Sequence, residues 1–233
     1  MEFRWDLTTA LPWTAGCVRQ IRRVSLSWGS EAGGRVAAAR AGADFLGFVC
    51  VEGVRRQIWP EDGHNILAEY RRIWVKDSPM IVGVFRNQSQ LFVNKTIACV
   101  GLDLVQLCGE EPTGYAVGID VPTVRQIQVH QNTSANRLRT MVENALDHHR
   151  MVILDHYDPG TPGGSGLSFD WRTAIGIANL PNVVLAGGLK PDNVDLAIKA
   201  VNPWALDVSS GVETDGAKDT NKIHAFIRVS RSY

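Results

Sequence analysis

The residues best placed for chemistry lie near the C-terminus, where two glycine turns follow short apolar runs. Leu185-Ala-Gly-Gly-Leu189 leads into Lys190-Pro-Asp-Asn193, and Asp207-Val-Ser-Ser-Gly-Val-Glu213 has the same character. Glycine lets backbone amides approach an anion closely, so Gly187, Gly188, Ser210 and Gly211 are the candidate phosphate-binding positions. One such loop alone reads equally well as a plain turn; two of them favour an anion site. Other chemistries are excluded. Cys17, Cys50, Cys99 and Cys108 show neither CxxC nor Cys/His ligand spacing, so neither a disulfide framework nor a zinc site is expected. There is no metal-ligand cluster, no dinucleotide-binding glycine pattern opening a first βα turn and no lysine clearly matched to Schiff-base use. The expected site needs no metal and no cofactor.

Something must hold those loops together. From Val24 onward, short apolar runs at 24–27, 45–49, 80–85, 104–107, 123–129, 151–155, 182–186 and 205–208 alternate with longer segments. Several runs are continuously apolar, as parallel strands covered on both faces are. Segments such as 32–41, 89–100, 134–148 and 191–200 carry apolar residues at three- and four-residue spacing and predict helices. Asp192 beside Pro191, and Asp219, supply N-terminal signals for the last two helices. Pro112, Gly114 and Gly118 predict a short or irregular fourth helix. Eight βα units imply an α/β fold, a single-domain (β/α)8 TIM barrel over 23–233 with an N-terminal extension over 1–22. In such barrels the chemistry sits on the loops after the strand C-terminal ends, and loops seven and eight frequently bind phosphate.

Composition bounds the partners. Lys plus Arg equals Asp plus Glu at 24 each, so no net field draws the chain to nucleic acid or to an anionic membrane. Residues 1–17 lack a continuous apolar core and no later segment approaches a spanning length. The expectation is a cytoplasmic protein with reduced thiols, a monomer or homodimer, acting on a small phosphorylated or carboxylated molecule.

The glycine-turn stretches also carry a family resemblance. Ala186-Gly-Gly-Leu-Lys-Pro-Asp-Asn-Val194 and Asp207 through Asp219 resemble the C-terminal signature of the phosphoribosylanthranilate isomerase family of tryptophan biosynthesis. Ala41-Gly-Ala-Asp-Phe-Leu-Gly-Phe48, Val82-Gly-Val-Phe-Arg-Asn87, Val105-Gln-Leu-Cys-Gly-Glu110, Ile153-Leu-Asp155 and Gly163-Gly-Ser-Gly166 with Phe169-Asp-Trp171 are similar to its other blocks, in order. The likeness spans about residues 24 to 230. It implies a barrel that opens the ribose ring of N-phosphoribosylanthranilate and isomerises the aminoaldose to an aminoketose. A strand-six aspartate is the general acid and a strand-one cysteine the general base. Asp155 matches the acid, Arg56 the arginine facing the anthranilate carboxylate, and Asp207 the aspartate near the sugar hydroxyls.

Departures from the pattern are local. Counting back from Ala41 puts Ser25-Leu-Ser-Trp28 on the family's Lys-hydrophobic-Cys-Gly, so Ser27 replaces the catalytic cysteine and Trp28 the adjacent glycine. A cysteine supplies a thiolate; a serine hydroxyl needs a helper base. Cys108 stands where the family has a histidine, and His156 and Asp158 lie in a lengthened loop as candidate substitutes. These changes point to a divergent paralogue that keeps the Asp155 acid but isomerises, cyclises or dehydrates another small molecule, as in secondary metabolism, with little or no activity on N-phosphoribosylanthranilate. The alternatives are a genuine phosphoribosylanthranilate isomerase and a non-catalytic barrel that binds a phosphometabolite.

Overall fold

The computed structural model describes residues 23–28, 32–73, 78–157 and 168–233. The extension expected over 1–22, Asp158 and the loop to Gly166 lie outside the described residues. Eight strands close into a barrel in sequence order: β1 (Arg23–Trp28), β2 (Phe45–Val49), β3 (Met80–Phe85), β4 (Leu104–Leu107), β5 (Thr123–Val129), β6 (Met151–His156), β7 (Val183–Leu185) and β8 (Ala205–Val208). Every neighbouring pair is parallel, and β1 closes on β8 with Ser25 opposite Asp207. The helices are α1 (Ala32–Ala41), α2 (Pro60–Ile73), α3 (Gln90–Val100), α4 (Ala135–Leu146), α5 (Val194–Val201) and α6 (Thr220–Arg231).

Strand alternation divides the core in two. Leu26, Leu46, Phe48 and Phe85 join the buried layer shared with the helices. Phe45, Val82, Leu104, Val124, Met151, Ile153, Val184 and Ala205 form a separate apolar cluster, the plug of the barrel interior. Two residues further along a strand the same face recurs. That step takes Leu104 to Gln106, Val124 to Gln126, Ile153 to Asp155 and Ala205 to Asp207, so the interior turns polar toward the strand C-terminal ends.

The irregular fourth segment is a 3-10 turn over Thr113–Gly118, as its proline and glycines imply. Gln90 and Asn94 of α3 hold it by donating to the carbonyls of Tyr115 and Gly118 at 2.8 Å each. A second 3-10 turn, Trp171–Ala174, follows β6. Ser89 and Ser134 cap α3 and α4, and Asp219 caps α6 through the amides of Asn221 and Lys222. The helix expected from Pro191 starts instead at Val194. Asn193 explains the delay: its Oδ1 accepts from Lys190 N at 2.8 Å and its Nδ2 donates to Gly188 O at 2.9 Å, which ties the preceding stretch into a turn.

Candidate active site

Asp155 ends β6 with both carboxylate oxygens occupied. Oδ2 accepts from Gln126 Nε2 at 2.8 Å and Oδ1 from the His156 amide at 2.8 Å. Burial raises its pKa, against the His156 amide and the His156 ring charge, which lower it. Asp207 lies deeper, 8% exposed on β8. Burial pushes its pKa up to about 6, the Asp155 charge adds to that, and a hydrogen bond from Ser25 and the Lys218 charge oppose it. Its Oδ1 is buried and has no hydrogen-bond partner. Two carboxyls in one low-dielectric space share their titration.

Cys108, at the end of β4, belongs to the same space. Burial pushes its thiol up to about 12; a hydrogen bond from Gln106 opposes this, and the charges of Asp155, Glu111 and Asp207 add to it. It stays protonated near neutral pH and supplies no thiolate. Ser27 and Trp28 are placed by backbone pairing alone, opposite Gly47 and Phe48 of β2. His156 turns at the mouth of the barrel with Nδ1 buried and unpartnered.

The glycine turns meet each other. Gly187 and Gly188 have φ of 82° and 66°, which suits glycine. A Cβ on Gly187 would come within 2.9 Å of the His156 amide and 3.3 Å of Asp155 Oδ1, so β7 can approach the acid only with glycine there. A Cβ on Gly211 would overlap the Leu189 carbonyl oxygen. Among the described residues the amides of Gly188 and Gly211 have no backbone partner. Ser210 opens the 3-10 turn Ser210–Val212 beside them.

Below this rim lies a cluster centred on Glu213, whose neighbouring hairpin pairs β9 (Glu213–Thr214) with β10 (Ala217–Lys218). Glu213 pairs with Arg56 at 2.8 Å, Lys218 at 2.9 Å and Arg55 at 2.9 Å. Burial acts against its charge, but Arg56 and Lys218 hold its pKa below the ordinary value. Lys218 also donates to Ser209 O at 2.7 Å, and burial lowers its pKa to about 8 against the pull of Glu213. Arg56 Nε is buried without a partner. Glu213, Lys218, Gln106 and Gln126 were not singled out by sequence reasoning; the two glutamines carried a signal, as polar residues at inward positions of apolar strands.

A parallel eight-stranded barrel with paired buried carboxyls and two glycine turns at its C-terminal face is the frame of a small-molecule enzyme. Residues 35–229 match the family described as N-(5'-phosphoribosyl)anthranilate (PRA) isomerase, and the chain belongs to that family. It is 40% identical over 201 residues to the N-(5'-phosphoribosyl)anthranilate isomerase of Dehalococcoides mccartyi, covering 85% of this chain and 90% of that one. The protein of that name from Geobacter metallireducens is 38% identical, with 84% and 92% covered. The solved phosphoribosyl anthranilate isomerase of Thermotoga maritima superposes with a TM-score of 0.76 at 31% identity, covering 91% of this chain and all of that one.

These relatives overturn the expectation of a barrel repurposed for another small molecule. Identity of this extent to proteins with one shared name backs the genuine isomerase instead. Of the departures that suggested repurposing, Ser25, Ser27 and Trp28 precede residue 35, where the family match begins, while Cys108 and the loop after His156 fall inside it; all of them weighed too heavily against the body of the chain. Among the described residues no helix is long and apolar enough to cross a membrane, and no group of three metal-ligating side chains occurs.

Proposed function

We propose that this chain catalyses the Amadori rearrangement of N-(5'-phosphoribosyl)anthranilate, with Asp155 as the acid that protonates the ring oxygen. The observation that carries the reading is the Asp155 carboxyl itself, held at the barrel mouth by Gln126 and the His156 amide with a pKa raised by burial. A group so placed keeps its proton closer to neutral pH than an exposed aspartate does. The substrate phosphate lies against the amides of Gly188, Ser210 and Gly211, with Gly187 shaping the approach. Its anthranilate carboxylate is met by Arg56, whose planar guanidinium suits a carboxylate. Cys108 and the ring of His156 border the sugar. One solved relative is described as monomers of a dimeric enzyme from Thermotoga maritima, which supports a dimer as one form of this chain.

Purified protein should convert N-(5'-phosphoribosyl)anthranilate, followed by loss of substrate fluorescence. It should also bind reduced 1-(o-carboxyphenylamino)-1-deoxyribulose 5-phosphate, the ligand in one solved relative. A protein that shows no turnover and no binding of the analogue would end the reading. Asp155→Asn keeps the shape and removes the titrating proton; kcat should fall by at least about 10²-fold with Tm little changed.

A further inference from the structure

We infer that Glu213 is a positioning residue for substrate recognition: its buried carboxylate, anchored by Lys218, aims the guanidinium of Arg56 at the carboxylate of the anthranilate ring. The inference rests on the activity proposed above and adds what directs Arg56. An arginine grips a carboxylate through parallel N–H bonds, and that grip tolerates little rotation of the planar group. The turn after β2 fixes only the backbone around Arg56: Ile58 N donates to Val49 O at 2.8 Å and Gln57 N to Val54 O at 3.0 Å. The side chain beyond it is long and loses rotamer freedom when held, so it needs a partner. Among the described residues Glu213 is the acid it pairs with, at 2.8 Å through Nη2. Nε is buried, which leaves Nη1 and the other hydrogen of Nη2 as the donors for a substrate.

The oxygens of Glu213 do different work. Oε2 takes Arg55 at 2.9 Å, whose side chain is 60% exposed and which also donates to Gly216 O. Oε1 takes Arg56 and, at 2.9 Å, Lys218, whose side chain is 3% exposed. Lys218 donates in turn to Ser209 O at 2.7 Å in the turn after β8, and Lys222 of α6 donates to Glu213 O at 2.6 Å. The carboxylate is therefore held from β10 and its backbone from α6, and Oε1 is a fixed point against which Arg56 is set. Burial opposes the charge of Glu213, but Arg56 and Lys218 hold its pKa below the ordinary value, so the anchor stays ionised near neutral pH.

The hairpin does not depend on that oxygen. Its strands pair through the backbone, Thr214 with Ala217 and Glu213 with Lys218. Asp219 N donates to Val212 O at 2.9 Å and Thr214 Oγ1 to Asp219 Oδ2 at 2.8 Å. The bonds from Arg55 to Gly216 O and from Lys222 to Glu213 O also bypass the carboxylate. Glu213→Gln keeps the shape and all of these contacts. It puts a neutral group between two cations that already repel each other, and Arg56 turns away from Lys218 once the charge that held both is gone.

The test is run near pH 7, where Lys218, its pKa lowered by burial to about 8, is still charged. It measures KM, kcat and the Kd of reduced 1-(o-carboxyphenylamino)-1-deoxyribulose 5-phosphate and of the same compound without its ring carboxylate. The wild type should favour the carboxylated ligand. In Glu213→Gln that ligand should bind about tenfold more weakly and KM should rise about tenfold, with kcat and the Kd of the other ligand within about twofold. Arg56→Met should lose the preference by itself, and adding Glu213→Gln to it should change neither Kd further. Equal weakening of both ligands, or an effect of Glu213→Gln that persists in the Arg56→Met background, makes Glu213 a support of the whole pocket and overturns the inference. An unchanged preference in Glu213→Gln overturns it too. Should that variant fail to fold, Glu213→Asp decides, since it keeps the charge and withdraws it by one methylene: loss of the preference supports the aiming, and a preference equal to that of the wild type overturns it. A wild type that neither turns over nor binds either ligand overturns the proposed activity; an active wild type indifferent to Glu213→Gln removes only the aiming.

Discussion

Two buried glutamates sit among cations at the C-terminal face of the barrel, and they are solvated differently. Glu111 meets one cation, Arg125, at 2.7 Å, and spends its other lone pairs on the amides of Asn87 and Gly109. Arg125 in turn donates to Gly109 O at 2.9 Å, so the loops after β3 and β4 are knotted to β5 with charge balanced one to one. Glu213 meets three cations, of which Lys218 also faces the Asp207 carboxyl. A balanced pair fixed by backbone amides stabilises a loop. A glutamate shared among several guanidinium and ammonium groups leaves donors that can turn to an anion arriving from solution.

The contrast breaks first at Glu111. With its side chain 2% exposed, Glu111→Ala strands the Arg125 charge and two amides, and loss of one partner of a buried pair costs about 3–5 kcal/mol. Urea unfolding should register that loss, while the molecules that remain folded keep the KM of the wild type. A large KM change at unchanged stability would mean that Glu111 belongs to the substrate site and that the two clusters are alike.

At Glu213 the expected effect is smaller and of the other kind. Arg56 is 19% exposed along its side chain and Arg55 60%, so the two arginines on one glutamate differ in how far water screens them. Arg56→Lys, which loses the planar fork, should raise KM about tenfold at nearly constant kcat. Arg55→Lys should leave KM within about twofold, as exposed pairs contribute little. Equal effects would show that the cluster acts through its summed charge and not through the aim of Arg56.

How far these features could be read from sequence follows from what each depends on. The barrel was legible because continuously apolar runs such as 151–155 and 205–208 can be buried only with both faces covered. The short fourth segment was legible from Pro112 and Gly114. The glycine turns showed as turns, but the contact of Gly211 with Leu189 and of Gly187 with Asp155 depends on loops far apart in the chain. Glu213 and Glu111 were opaque for the same reason: Arg55 and Arg56 lie 158 and 157 positions before Glu213, and only closure of β8 onto β1 brings them together. Asp207 was named in the sequence as a site residue, but no pattern there reveals its buried, unpartnered oxygen.

The smallest effect concerns what Asp207 costs the fold. Its carboxyl titrates at about 6 when folded against 3.8 ordinarily, so the sign is that of a carboxylate disfavoured by folding. Below about pH 3.8 both states hold the proton and no penalty exists; between there and about pH 6 the unfolded chain releases it while the folded chain keeps it, and stability is lost as pH rises. Asp207→Asn carries no such penalty. The Tm of the variant minus that of the wild type should therefore climb from about pH 4 to about pH 6 and then level off. Asp155 is shifted in the same direction and its charge raises the Asp207 pKa, so its ionisation feeds the same rise, whereas Lys218 titrates higher, at about 8. A difference that is flat or falls across the window would mean that the Ser25 hydrogen bond and the Lys218 charge outweigh burial. Asp207 would then be a well-satisfied structural carboxylate, as Glu111 is.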